Sequence, residues 1–170
     1  MVMVVNGALV TLEQYLTTSY SPEREYVDGA LREIHGGEAP HSKVQLNLVL
    51  AFDRMRPALH IWPKQRLRTG PSRVRVPDLC ITLEDPRSPI FEGPPFVCIE
   101  IVSARDAAGD LLEKLEEYAA MGARHVWVVD PPRRKAYAYR EGALEEVAGG
   151  QFETREPQIL LPLAEVFYGL

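Results

Sequence analysis

The stretch FVCIEIVS, residues 96–103, reads as a buried strand interrupted by one charge. Seven of its eight positions suit a sheet interior, and the eighth is Glu100. A carboxylate taken into a sheet without a partner costs several kcal/mol or gives up its charge. No lysine lies nearby in sequence; the next one along is Lys114. Whatever compensates Glu100 must come from another part of the chain, and that requirement organises the rest of the reading.

The first candidate is the preceding strand-like segment, RVRVPDLCIT, residues 73–82. If it pairs antiparallel with FVCIEIVS, one register sets Asp78 opposite Glu100 and also Cys80 opposite Cys98. Residues two apart on a strand share a face, so all four side chains then lie together. Directly opposed β-carbons are about 4.5–5.5 Å apart, close enough for two carboxylates to repel. A divalent cation between them removes the repulsion, and hard oxygen ligands with open water positions suit Mg²⁺ or Mn²⁺. The register is an assumption at this level, and a purely structural pair is the other reading.

The chain has 170 residues, expected to form one domain over 1–170 that buries roughly two-thirds of its unfolded surface. No apolar run approaches the roughly 20 residues that span a bilayer. The opening MVMVVNGALV has neither a basic start nor a small-residue cleavage pattern, so no signal peptide is expected. Two cysteines without a CxxC spacing argue against a disulfide scaffold or structural zinc and fit a reducing, cytoplasmic setting. Cys98 as a hydrolase nucleophile is disfavoured, because a buried strand supplies nothing to lower its thiol pKa.

Net charge is −5, which argues against indiscriminate nucleic-acid affinity. Residues 60–77 nevertheless carry Lys64, Arg66, Arg68, Arg73 and Arg75 and no acid. Two readings stand: a solvated β-ribbon, or a strip that neutralises backbone phosphates.

Thr11 and Gln14 form a capping-box pattern opening a helix at TLEQYLTTS, and Asp28-Gly29 and Glu141-Gly142 are two-residue hairpin signals. Apolar residues at 44, 48, 52 and 55 follow helical spacing, predicting a second helix over 40–56 stopped by Pro57. LHIWPKQRLR is expected to be one strand and HVWVVD a central one. Asp110 is expected to cap a third helix that Gly122 closes. His41 reads as a solvated first-turn residue or, alternatively, one that reaches substrate phosphate, Asp28 as a turn residue, Gln65 as a surface or water-orienting residue, and Trp62 and Trp127 as core rings. The pattern is a mixed sheet flanked by helices, α/β or in stricter terms α+β.

Taken in order, the fragments TLEQYL, REYVDGAL, a helix beginning at Pro-His-Ser, RVPDLCI, PPFVCIEIVS, EKLEEYAAMG and HVWVVDP resemble the Uma-two family within the PD-(D/E)XK nuclease superfamily. The resemblance spans some 150 residues. It implies a restriction-endonuclease-like core and Mg²⁺-dependent (or Mn²⁺-dependent) hydrolysis of phosphodiester bonds, with duplex DNA as partner and, by analogy, a homodimer as the acting form. By position it implies Asp78 and Glu100 as metal ligands, with the Ile101 carbonyl completing the shell. Glu25 and Lys114 join them as catalytic residues. Two departures stand out. The superfamily lysine two residues after the strand glutamate is Val102 here, and Ser103-Ala104 replaces the family's Ser-Pro. A noncatalytic nucleic-acid-binding module that kept the fold is the rival reading. Lys114 sits at the border of the buried face of its helix, where a lysine can run its stem along the sheet toward the carboxylates.

Overall fold

The computed structural model describes residues 9–55 and 59–170; the opening stretch in which no signal peptide is expected lies mainly outside them, and the Pro57 helix stop wholly so. Along the chain come α1 (Leu12–Thr17), β1 (Arg24–Val27), β2 (Ala30–Glu33), α2 (Ala39–Arg54), β3 (His60–Pro63), β4 (Leu67–Gly70), β5 (Arg73–Arg75) and β6 (Leu79–Thr82). The second half adds β7 (Val97–Ile101), α3 (Ala108–Ala120), β8 (His125–Asp130), β9 (Lys135–Arg140), β10 (Ala143–Glu146), β11 (Gln151–Thr154), β12 (Ile159–Pro162) and α4 (Leu163–Val166).

A six-stranded sheet in the order β10-β9-β8-β7-β6-β3 forms the centre. Only β7 and β8 run parallel, joined by α3 as the crossover, so the sheet is mixed. Period-two alternation divides β7 between two cores. Val97, Ile99 and Ile101 face α2, the β11-β12 hairpin and α4, whereas Cys98 packs with Leu115 and Tyr118 of α3. Glu100 shares the face of Cys98. It therefore lies under α3.

The hairpin register assumed from sequence is the one observed: Cys80 pairs with Cys98 and Leu79 with Ile99, both thiols being free. Carried one step further, that register sets Asp78 beside Glu100. Two expected strands, however, are each divided. RVRVPDLCIT splits at Val76-Pro77 into β5 and β6, which belong to different sheets. Proline has no N–H for a ladder, so Pro77 is a natural place to leave one sheet and enter another. LHIWPKQRLR splits likewise after Pro63, where Lys64 turns the chain with φ +54°. The first piece of the former, β5, and the second piece of the latter, β4, join β1 and β2 in a four-stranded sheet ordered β2-β1-β5-β4.

The capping box closes as expected, with Thr11 and Gln14 bonding reciprocally. Asp28-Gly29 and Glu141-Gly142 take left-handed φ values, as type I′ hairpins require. Asp110 does not cap α3. The N-cap is Ala107 without a side-chain bond, and Asp110 sits in the first turn, where the helix dipole still favours it. Trp127 stacks on Phe152 at 4.2 Å with its ring 2% exposed. Trp127→Ala should cost roughly 3–5 kcal/mol, since the cavity cannot close between two sheets. It should lower the urea midpoint with little change in slope.

Candidate active site

Pro77 delivers Asp78 to the end of β6, and Asp78 is then fixed from several sides. Its backbone carbonyl accepts from Gln45 Nε2 of α2 at 2.8 Å. Its Oδ2 accepts the Ile101 N–H at 2.7 Å. Its Oδ1 faces the Lys64 ammonium and, at 3.1 Å, His41 Nε2. Burial alone would raise the Asp78 pKa, but His41 and the Lys64 charge outweigh it and hold the carboxyl below its usual range.

Glu100 meets a different fate. Tyr118 donates its hydroxyl to Oε1 at 2.7 Å and Lys114 its ammonium to Oε2 at 3.0 Å. Those contacts favour the anion, yet burial, with Asp78 and Glu25 adding repulsion, pushes Glu100 up to about 7. The two neighbouring carboxylates are thus shifted in opposite directions from their ordinary values, the usual mark of a site tuned for chemistry.

Glu25 completes the group from β1. Its Oε1 accepts the Val76 N–H at 2.9 Å and lies 3.1 Å from Lys114 Nζ, while its Oε2 accepts from Arg75 at 3.1 Å. Lys114 is therefore shared between Glu25 and Glu100. Burial would lower its pKa, but the charges of Glu100, Glu25 and Asp78 raise it above the ordinary lysine value. Glu25, Asp78, Glu100, Ile101, Asp106 and Lys114 line one cleft of about 260 Å³ between the sheets and the start of α3.

The basic strip does not form a continuous cationic surface. Acids from distant segments meet each member: Asp78 meets Lys64, Glu23 Arg66 and Glu92 Arg68, while Arg73 takes Asp28, Glu113 and Glu117. Arg75 corrects the sequence reading most directly. It is 2% exposed and forks onto Glu117 at 2.6 and 3.0 Å while also holding Glu25, so it braces the cleft from behind rather than facing outward. The acids responsible are remote in sequence, which is why the strip looked free.

Sequence reasoning placed His41 in water, and the structure places it 3% exposed against Asp78. The signal was present: His41, Val44 and Leu48 follow the 3–4 spacing of one buried helical face. Gln65 donates to the carbonyls of Arg66 and Pro89, remote from the carboxylates' bonding shell.

As a donor set, Asp78, Glu100 and the Ile101 backbone offer hard oxygens, two of them carboxylates close enough to repel. That chemistry fits Mg²⁺, which commonly takes only one or two protein carboxylates and fills its shell with water. No cluster of three His, Cys, Asp or Glu residues set to hold a metal occurs among the described residues, so waters and backbone would supply the remainder.

Comparison with known proteins identifies the family and the fold. The family profile described as "Uma2: Putative restriction endonuclease" matches residues 12–166. The chain belongs to the Uma2 family. A crystal structure titled as a putative nuclease belonging to DUF820, from Anabaena variabilis ATCC 29413, superposes with a TM-score of 0.74 at 18% identity. The match covers 93% of this chain and 97% of the other. A search of curated proteins returned no match. The fold of this Uma2 chain is thus the restriction-endonuclease-like one expected, a central mixed sheet flanked by helices.

The raised Glu100 pKa carries a signed consequence. Between the ordinary value of 4.5 and about 7, folded Glu100 keeps a proton that the unfolded chain has lost. Stability from this residue is therefore full below that window and is lost as pH rises through it. Urea unfolding of wild type against Glu100→Gln, without divalent metal, should show wild type losing stability relative to the variant from pH 5 to pH 7.5.

Proposed function

We propose that the chain is a Mg²⁺-dependent endonuclease that hydrolyses phosphodiester bonds in duplex DNA. The observation that carries this reading is Lys114 held between Glu25 and Glu100, with Asp78 alongside, in a single cleft. The printed descriptions of the family and of the solved neighbour point the same way.

Hydrolysis joins a water oxygen to phosphorus and breaks the bond to one bridging oxygen, which departs and takes up a proton. Negative charge accumulates on the remaining phosphate oxygens as the new bond forms, so a fixed cation nearby lowers the barrier. A bound Mg²⁺ would supply Lewis-acid polarisation of the phosphate. Asp78 and Glu100, with the Ile101 carbonyl, are the groups to hold it. Lys114 takes the role of the superfamily lysine absent at Val102, and Glu25 keeps its ammonium in place. Arg66 and Arg68 are the strip residues suited to backbone phosphates, because each has only one carboxylate partner among the described residues, and both are partly exposed. Cutting both strands calls for two such clefts, so the acting form on this reading is a homodimer.

Val102 and the neutralised strip favour one competing reading, a nucleic-acid-binding module without catalysis. One assay separates the two. Purified protein with Mg²⁺ or Mn²⁺ should nick supercoiled DNA, and chelation or Asp78→Ala should abolish it. Lys114→Ala should slow cleavage by about tenfold or more while Mn²⁺ binding, followed by calorimetry, persists. Duplex binding with no metal-dependent cleavage would instead establish the noncatalytic module.

A further inference from the structure

The three groups at the Asp78 carboxylate differ in their freedom to leave. The Ile101 N–H belongs to β7 and stays. His41 is buried at 3% exposure, and its Nε2 has no aligned hydrogen-bond partner among the described residues despite its 3.1 Å approach to Oδ1. Its ring packs against Gly36, where an added Cβ would come within 3.2 Å of it, so only glycine leaves the ring its present place. Lys64 is the exception. Its side chain is 30% exposed, and Asp78 is its only carboxylate partner among the described residues. Lys114, by contrast, is half as exposed and tied to two carboxylates.

The backbone at Lys64 adds an independent observation. Its φ of +54° lies in the left-handed region, which a lysine occupies at a cost and which glycine or asparagine would fill more easily. That conformation ends β3, lets the Lys64 N–H reach the Asp78 carbonyl at 3.3 Å and folds the side chain back onto the same residue's carboxylate. A strained position thus carries the residue whose long, flexible stem can bring a cation to Asp78 and also take it away.

We propose that Lys64 is a built-in stand-in for the divalent cation: its ammonium occupies Asp78 Oδ1 until metal arrives, then leaves for solvent. The inference rests on Asp78 being a metal ligand. Without the ammonium, Asp78 would be a buried anion facing only a histidine and one N–H, which is costly. With it, metal-free protein keeps its carboxylate paired, and an incoming cation must displace one positive charge to bind. Lys64 thereby sets how tightly the site holds metal, and it returns whenever the metal departs.

Calorimetric titration of the full chain with Mn²⁺ tests this. Lys64→Met keeps the stem and removes the charge, so it should bind Mn²⁺ about tenfold tighter than wild type or better. Lys64→Arg keeps the charge and should stay near wild type. Mn²⁺ should also raise the melting temperature of Lys64→Met more than that of wild type, because binding then replaces a missing partner. Lys64→Gln should follow Lys64→Met and covers the case in which the methionine variant folds poorly. Unchanged or weaker binding by the uncharged variants, or equal tightening by Lys64→Arg, overturns the stand-in role while Asp78-dependent binding in wild type leaves the metal site standing. Mn²⁺ binding that survives Asp78→Asn, or that is missing from wild type and variants alike, sinks the metal site and this inference together.

Discussion

A carboxylate on a central strand must be compensated, and the compensation of Glu100 links nearly every element around the cleft. Tyr118 and Lys114 reach it from α3, and Glu25 draws Lys114 toward β1. Arg75 holds Glu25 from β5 and locks onto Glu117, back on α3. The circuit therefore starts on the large sheet, crosses a helix, enters the small sheet and returns. Polar bonds of this kind are directional, so they fix the angle between layers in a way that apolar packing does not. Burial still outweighs these contacts. Glu100 is left with a pKa near neutrality, an arrangement that stability alone would not select.

Pro77 explains how one short segment serves both layers. Arg75 and Asp78 lie three residues apart, yet one braces the small sheet and the other lines the cleft beside the large one. A strand continuous through this region would have left the two sheets to be joined by packing alone. The break instead frees the Val76 N–H from ladder duty, and Glu25 accepts it. A single non-pairing residue thus creates both the sheet switch and the anchor for a third carboxylate.

What the sequence disclosed follows from which interactions are local. The β6-β7 register could be assumed because cysteines and acids share one alternation, and the observed Cys80–Cys98 pairing matches it; helical geometry left the α3 lysine at the border of the buried face, and only the family resemblance pointed it at the carboxylates. The hairpin turns followed from Asp-Gly and Glu-Gly. The divided strands were not visible, since a period-two pattern continues unchanged when the chain passes from one sheet to another. The ion pairs of the basic strip were hidden for a related reason. Glu23, Glu92, Glu113 and Glu117 reach it only through the tertiary fold. His41 was misread because one helical turn of context, Val44 and Leu48, was given less weight than its place near a helix start.

The substitution of Val102 for a strand lysine gains a physical meaning in this arrangement. Position 102 lies two residues past Glu100, on the same face of the chain, so a lysine there would approach the carboxylate from beside it. Lys114 instead comes from the opposite wall, on the helix that covers that face. Val102 packs into the cluster built around Cys80, Cys98 and Leu115. A buried lysine needs more than one anion to remain charged, and Glu25 meets that need. Glu25 on β1 and Glu100 on β7 thus hold the α3 ammonium from two sides, so the charge on the helix is fixed by both sheets at once.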